Sequence, residues 1–192
     1  MTRFAATFLM LLIVGLVCLN AQEHMLFMKT PINGAMNEFV IQMKSKGFVH
    51  DYTGKDGMIM SGVFAGKDCD IVIVCTPITK TVWKVAVNLK REYTSWSSLK
   101  IDYWEMVNSY ISKYGNPTGS FDFFGNPYEE GDGYEMQAVR MGKCYYRTFW
   151  TLERGTIAIL IDESAKISIW YEDKLNTEKL EKERKLQIDD DI

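Results

Sequence analysis

The sequence predicts an α+β protein made of two successive units, each a helix followed by antiparallel strands. Three observations carry this. Apolar residues recur at helical spacing in two places, and a glycine closes each run. Behind each run come short stretches in which large apolar residues alternate with others, the period of a strand. Clusters of Gly, Asp, Ser, Thr and Pro separate those stretches as turns. The two halves share element order rather than residue identity, which reads as a tandem repeat.

In the first unit, residues 22–94, Met36, Phe39, Val40 and Met43 fall at i, i+3, i+4 and i+7 and form one apolar stripe. Asn33 is the expected N-cap and Gly47 the expected stop. Strands are expected near 58–64, 69–76 and 82–89, with turns at Ala65-Gly66-Lys67-Asp68 and Thr76-Pro77-Ile78-Thr79-Lys80. In the second unit, residues 95–175, Leu99, Tyr103, Met106, Val107, Tyr110, Ile111 and Tyr114 mark one helical face, capped by Ser97 or Ser98. Gly115 ends that helix, and Asn116-Pro117 prevents its continuation. A long loop, Thr118 to Gly142, leads to strands near 144–151, 155–161 and 166–172. Residues 176–192 hold Glu178/Lys182 and Glu181/Lys185 pairs but few apolar side chains. That predicts a solvated helix fraying into a disordered Asp189-Asp190-Asp191 tip, with docking on a partner as the alternative.

Residues 1–21 read as a cleavable signal peptide: Arg3, an apolar run from Phe8 to Val17, and Ala21 at the cut. The apolar run is well short of the ~20 residues of a spanning helix. The expected location is therefore periplasmic or secreted, with membrane attachment only if Cys18 is lipidated; Val17 before it argues for the soluble form. The net charge of −3 comes with scattered basic residues. Nothing forms the Lys/Arg stripe that a phosphate backbone demands, so no nucleic-acid partner is expected. Hydrophobic residues make up 47% of the chain, which supports a packed core rather than disorder.

Beyond the signal, Cys69, Cys75 and Cys144 remain. Cys69 and Cys75 share one expected strand and lie about 20 Å apart, beyond disulfide reach. Either Cys144 pairs with one of them or all three are buried thiols.

The chain is not read as an enzyme. Its two histidines, His24 and His50, have no recognisable nucleophile elbow to serve, and no HExxH, CxxC, P-loop or GxGxxG pattern occurs. No cofactor or metal is expected. The acidic stretch Glu129-Glu130-Gly131-Asp132-Gly133 with Glu135 lacks the alternating ligands of an EF-hand and reads as a solvated turn.

Strand alternation is the more useful signal. In the second unit, Tyr145, Phe149, Ile157, Ile159, Ile161, Ile167, Ile169 and Tyr171 suit the face against the helix. The opposite face then receives Tyr146, Thr148, Trp150, Thr156, Ala158, Leu160, Ser168 and Trp170, less charged than a solvent face normally is. The first unit gives Phe64, Ile71, Ile73, Val85, Val87 and Leu89 to the helix side. Its second face takes Ile59, Ser61, Val63, Val72, Val74, Lys84 and Ala86. Either the units and the loop 118–142 bury these second faces, or they bind something. Tyr146, Trp150 and Trp170 are the candidate binding residues, because indole and phenol groups suit a half-wet surface.

Several short signatures span the chain: Phe27-Met28-Lys29-Thr30-Pro31-Ile32-Asn33-Gly34, Lys46-Gly47-Phe48, Gly62-Val63-Phe64-Ala65-Gly66, Lys113-Tyr114-Gly115-Asn116-Pro117 and Tyr171-Glu172-Asp173-Lys174-Leu175-Asn176. With them the chain resembles a group of small exported bacterial proteins and the β-lactamase-inhibitor-protein-like (BLIP-like) fold. That resemblance implies two repeats with their sheets side by side, and a protein-binding role by analogy of fold. The inhibitor family has paired cysteines in each repeat and this chain does not, so no binding residue is carried over. The expected function is an exported non-enzymatic module that binds an unidentified protein or peptide through a sheet face. An envelope structural or assembly component is the alternative, and a hydrolase is the third.

Overall fold

The structure is a computed structural model that describes residues 23–191. The expected signal peptide and Cys18 lie outside the described residues. Elements run β1 (Leu26–Phe27), β2 (Thr30–Pro31), α1 (Met36–Ser45), β3 (Val49–Thr53), β4 (Gly57–Phe64), β5 (Lys67–Cys75), β6 (Val82–Leu89), α2 (Trp96–Tyr114), β7 (Gly119–Phe124), α3 (Glu135–Arg140), β8 (Cys144–Leu152), β9 (Gly155–Ile161), β10 (Ile167–Asp173) and α4 (Lys174–Asp191). The architecture is α+β. Eight antiparallel strands form one sheet in the order β3-β4-β5-β6-β10-β9-β8-β7, and β1 and β2 form a separate small hairpin. The last strands of the two halves meet at the middle, with Val87 opposite Ile169 and Val85 opposite Tyr171.

One sheet face carries the core. Phe39, Val40 and Met43 of α1, with Leu99, Tyr103, Met106, Val107 and Tyr110 of α2, pack with Met60, Ile71, Ile73, Val85, Val87, Ile157, Ile159 and Ile169. Both helices owe their position to the apolar stripes read from the sequence. Gly47 and Gly115 take φ of 91° and 80° just beyond their ends, where a side chain would be strained. The caps differ from expectation. Ser95, not Ser97 or Ser98, caps α2 by accepting from the Ser98 N–H, and α1 follows Ala35 with no side-chain cap. Asn33 instead accepts a hydrogen bond from the Asn176 amide at 3.3 Å.

β3 and β7 were not expected, and both lie at the sheet edges. β3 is exposed along its whole length, so burial imposes no alternation on it. β7 and the short α3 together occupy much of the stretch expected as loop 118–142. All three cysteines are free thiols; burial pushes each up to about 11, which makes them poor nucleophiles.

The C-terminal segment corrects the expectation of a solvated tail. α4 starts at Lys174 and crosses one end of the sheet, with Asn176, Leu180 and Glu183 buried. The Glu183 carboxylate accepts from the Ile78 N–H at 2.8 Å, the Thr79 N–H at 3.2 Å and the Thr76 and Thr79 hydroxyls. It therefore satisfies the turn between β5 and β6. Burial alone would raise its pKa, but these donated hydrogen bonds prevail and hold it below the usual carboxylate value. Such a group stabilises the fold above its unfolded pKa, and the stabilisation is lost as pH falls through the lower folded value. Glu183→Gln is expected to cost about 1–3 kcal/mol at pH 7, because its amide turns a donor toward donors. Unfolding measured across pH should show the gap between wild type and variant closing below about pH 4. A gap that stays constant to pH 2 would exclude this role for the carboxylate.

Candidate binding face

The three residues singled out from the sequence do not share a surface. Trp150 and Tyr146 are 1% and 2% exposed and belong to the helix-covered core. Trp170 lies on the opposite face, half-buried. The hairpin register decides this: Trp150 pairs with Ile157 and Thr148 with Ile159, whereas Phe149 pairs with Ala158 and Arg147 with Leu160. Along β8 the expected faces are thus exchanged, and Tyr145 and Phe149 point away from the helices. β9, β10 and the first-unit strands keep the faces the sequence assigned. The cause is local. β8 reads Tyr145-Tyr146-Arg147-Thr148-Phe149-Trp150, large on both faces, so alternation alone does not choose between them. The turn at Glu153-Arg154 sets the choice, and Gly155 is required beside it because a Cβ there would collide with the Glu172 carbonyl.

The core-facing aromatics have structural partners. Tyr103 and Thr148 share a hydrogen bond at 2.8 Å, and the Trp150 indole donates to the Gly115 carbonyl at 2.9 Å. Glu130 of the acidic stretch accepts from Tyr146 at 3.1 Å, from Trp96 at 3.3 Å and from Lys100. The hydrogen bond from Lys100, aided by those from Trp96 and Tyr146, holds Glu130 below the usual carboxylate value. Asp132 and Glu135 accept from backbone N–H groups of their own turn. The acidic stretch is therefore a clamp over the N-terminal part of α2, and the loop packs on the helix side without covering the opposite face.

That opposite face holds a continuous cation–aromatic cluster. Trp170, near the centre of the sheet, has the Lys84 ammonium 3.5 Å from its ring centroid and the Arg147 guanidinium at 4.9 Å. Lys84 also pairs with Glu172 at 2.9 Å. Toward the β7 edge the aromatic series continues: Phe121 stacks on Phe149 at 6.3 Å and Phe123 on Tyr145 at 5.1 Å. Phe121, Phe123 and Tyr145 are 50%, 51% and 44% exposed. Between Phe121, Phe149, Arg147 and Trp170, over the small Ala158, lies a hollow of about 300 Å³. Among the described residues, Arg147 has no carboxylate partner.

Trp170, Lys84 and Ala158 lie on the face that strand alternation assigns to them, whereas Phe121 and Phe123 lie on β7, within the stretch 118–142 expected as loop. The Phe121-Asp122-Phe123 alternation was the available signal. Among the described residues no cluster of His, Cys, Asp and Glu is arranged to hold a metal ion, and no helix is long and apolar enough to cross a membrane. No protein-family model, curated protein or solved structure matches the chain.

Proposed function

We propose that this chain is an exported, non-enzymatic binding module that holds a protein or peptide on the open sheet face around Trp170. The observation that carries the reading is the Lys84–Trp170–Arg147 stack, bordered by exposed aromatics that no element of the fold covers. Monomeric proteins rarely expose such patches without use, and Trp, Tyr and Arg supply most interface energy. The partner surface is apolar with a carboxylate for Arg147. The order of elements, a helix and four strands twice over, supports the tandem-repeat reading.

The test is recovery of partners from envelope extract by wild type, Trp170→Ala and Arg147→Ala. A true partner should fall by tenfold or more with Trp170→Ala, matching an anchor worth about 2 kcal/mol. Both variants should keep wild-type stability within about 1 kcal/mol, since they alter half-exposed side chains. Equal recovery by all three forms would sink the proposed face.

A further inference from the structure

Among the described residues, a second and larger hollow than the one beside Trp170 lies on the other side of the sheet and is independent of the Trp170 face. It has a volume of about 710 Å³, and β1 and the β1–β2 turn, the C-terminal part of α2, the β8–β9 turn and the ends of β4 and β10 enclose it. That volume falls in the range of about 300–1,000 Å³ typical of small-molecule sites. The lining is apolar and adaptable: Met25, Met28, Phe64, Tyr110, Leu152 and Tyr171. Tyr110 and Tyr171 hydrogen-bond to each other, which uses one of their two hydroxyl protons and leaves a single O–H donor beside the apolar lining.

The charged groups at this hollow are Lys29, Lys113, Arg154 and Glu153. Arg154 is paired with Glu23. Among the described residues Lys29 and Lys113 have no carboxylate partner, and Lys113 only overlies the Tyr114 ring at 4.9 Å. A second observation points to the same place. The β1–β2 hairpin turns through Met28 and Lys29, with φ of 47° and 64°. A two-residue turn of this kind normally uses Asn-Gly, because side chains are disfavoured at positive φ. Strain of this sort concentrates at ligand clamps. Here it holds one apolar and one cationic side chain on the hollow.

We propose that the hollow binds an amphipathic carboxylate of the fatty-acid class, its chain on the Met, Phe, Leu and Tyr lining and its head group at Lys29 and Lys113. Two unpaired ammonium groups beside an apolar cavity match a single anionic head on an apolar tail. A neutral tail leaves both lysines without a partner.

Calorimetric titration of the full chain with sodium dodecanoate, below the concentration at which it forms micelles, tests this, with 1-dodecanol as the neutral counterpart. Dodecanoate should bind saturably with one site per chain, and Lys29→Ala/Lys113→Ala should weaken it tenfold or more while leaving dodecanol unchanged. Leu152→Trp, which fills the cavity, should abolish both. Every form carries the same N-terminal segment, so binding there would leave the variants equal to wild type. Absence of saturable binding, or dodecanoate binding that the lysine pair leaves unchanged, would overturn the proposal. The exposed lysine pair keeps the test decisive if circular dichroism shows that Leu152→Trp fails to fold.

Discussion

Trp150→Ala is expected to destabilise the protein by about 3–5 kcal/mol, the cost of deleting a large aromatic side chain from a packed core. Trp150 is 1% exposed, its ring lies 5.8 Å from that of Tyr110, and its indole N–H occupies the carbonyl of Gly115, where α2 ends. The truncation therefore opens a cavity under α2 and frees a helix-terminal acceptor at once. Trp150→Phe should cost less, about 1–3 kcal/mol, since most of the apolar contact remains while the Gly115 carbonyl loses its donor. Equilibrium denaturation of both variants and of Trp170→Ala checks the ordering. If Trp150→Ala and Trp170→Ala proved equally mild, the two faces would have been assigned wrongly. Loss of partner binding in Trp150→Ala would report loss of fold, so substitutions at Trp170 and Arg147, not at Trp150, speak to the open face.

A comparable loss, about 3–5 kcal/mol, is expected for Asp173→Ala, because a buried acceptor vanishes and leaves several donors without partners. Asp173 is fully buried and its carboxylate accepts from the Met25 N–H at 2.7 Å, the Asn176 N–H at 2.9 Å and His24 Nδ1 at 3.0 Å. The bond from Asn176 makes Asp173 the N-cap of α4, a contribution of about 1 kcal/mol by itself. Asn176 extends the connection by donating to the carbonyls of Ile32 and Val82, each at 2.9 Å. The N-terminal hairpin, the first strand of the sheet centre and the final helix are thus tied through two side chains. Hydrogen exchange should show residues 25–32 and α4 losing protection together in Asp173→Ala. Loss of protection confined to α4 would mean that Asp173 acts as a cap alone.

The signatures noted at residues 27–34 and 171–176 thereby find a physical meaning. Ile32 and Asn33 lie beside Asn176 although about 140 positions separate them. Each looks like an ordinary turn when read alone. Their joint role depends on a long-range hydrogen-bond network that no local pattern announces. The charged face of α4 misled in a similar way. Its Glu/Lys spacing describes the solvent side correctly, while the single carboxylate of Glu183 that turns inward is compositionally identical to its exposed neighbours.

What the sequence determined by itself was local and periodic. The α+β class, both principal helices with their glycine stops, the six inner strands and the faces of β4, β5, β6, β9 and β10 all follow from spacings of 3.6 and 2. Those periods survive because a buried stripe tolerates few exceptions. Tertiary structure alone decided the rest. Edge strands β3 and β7 form because a neighbouring ladder offers partners, and β3 has no buried side to enforce alternation. The face of β8 was fixed by pairing with β9 across a turn, since its aromatics fit either side. Trp150 consequently belongs to the core, and Trp170, held between Lys84 and Arg147, is left to the open face.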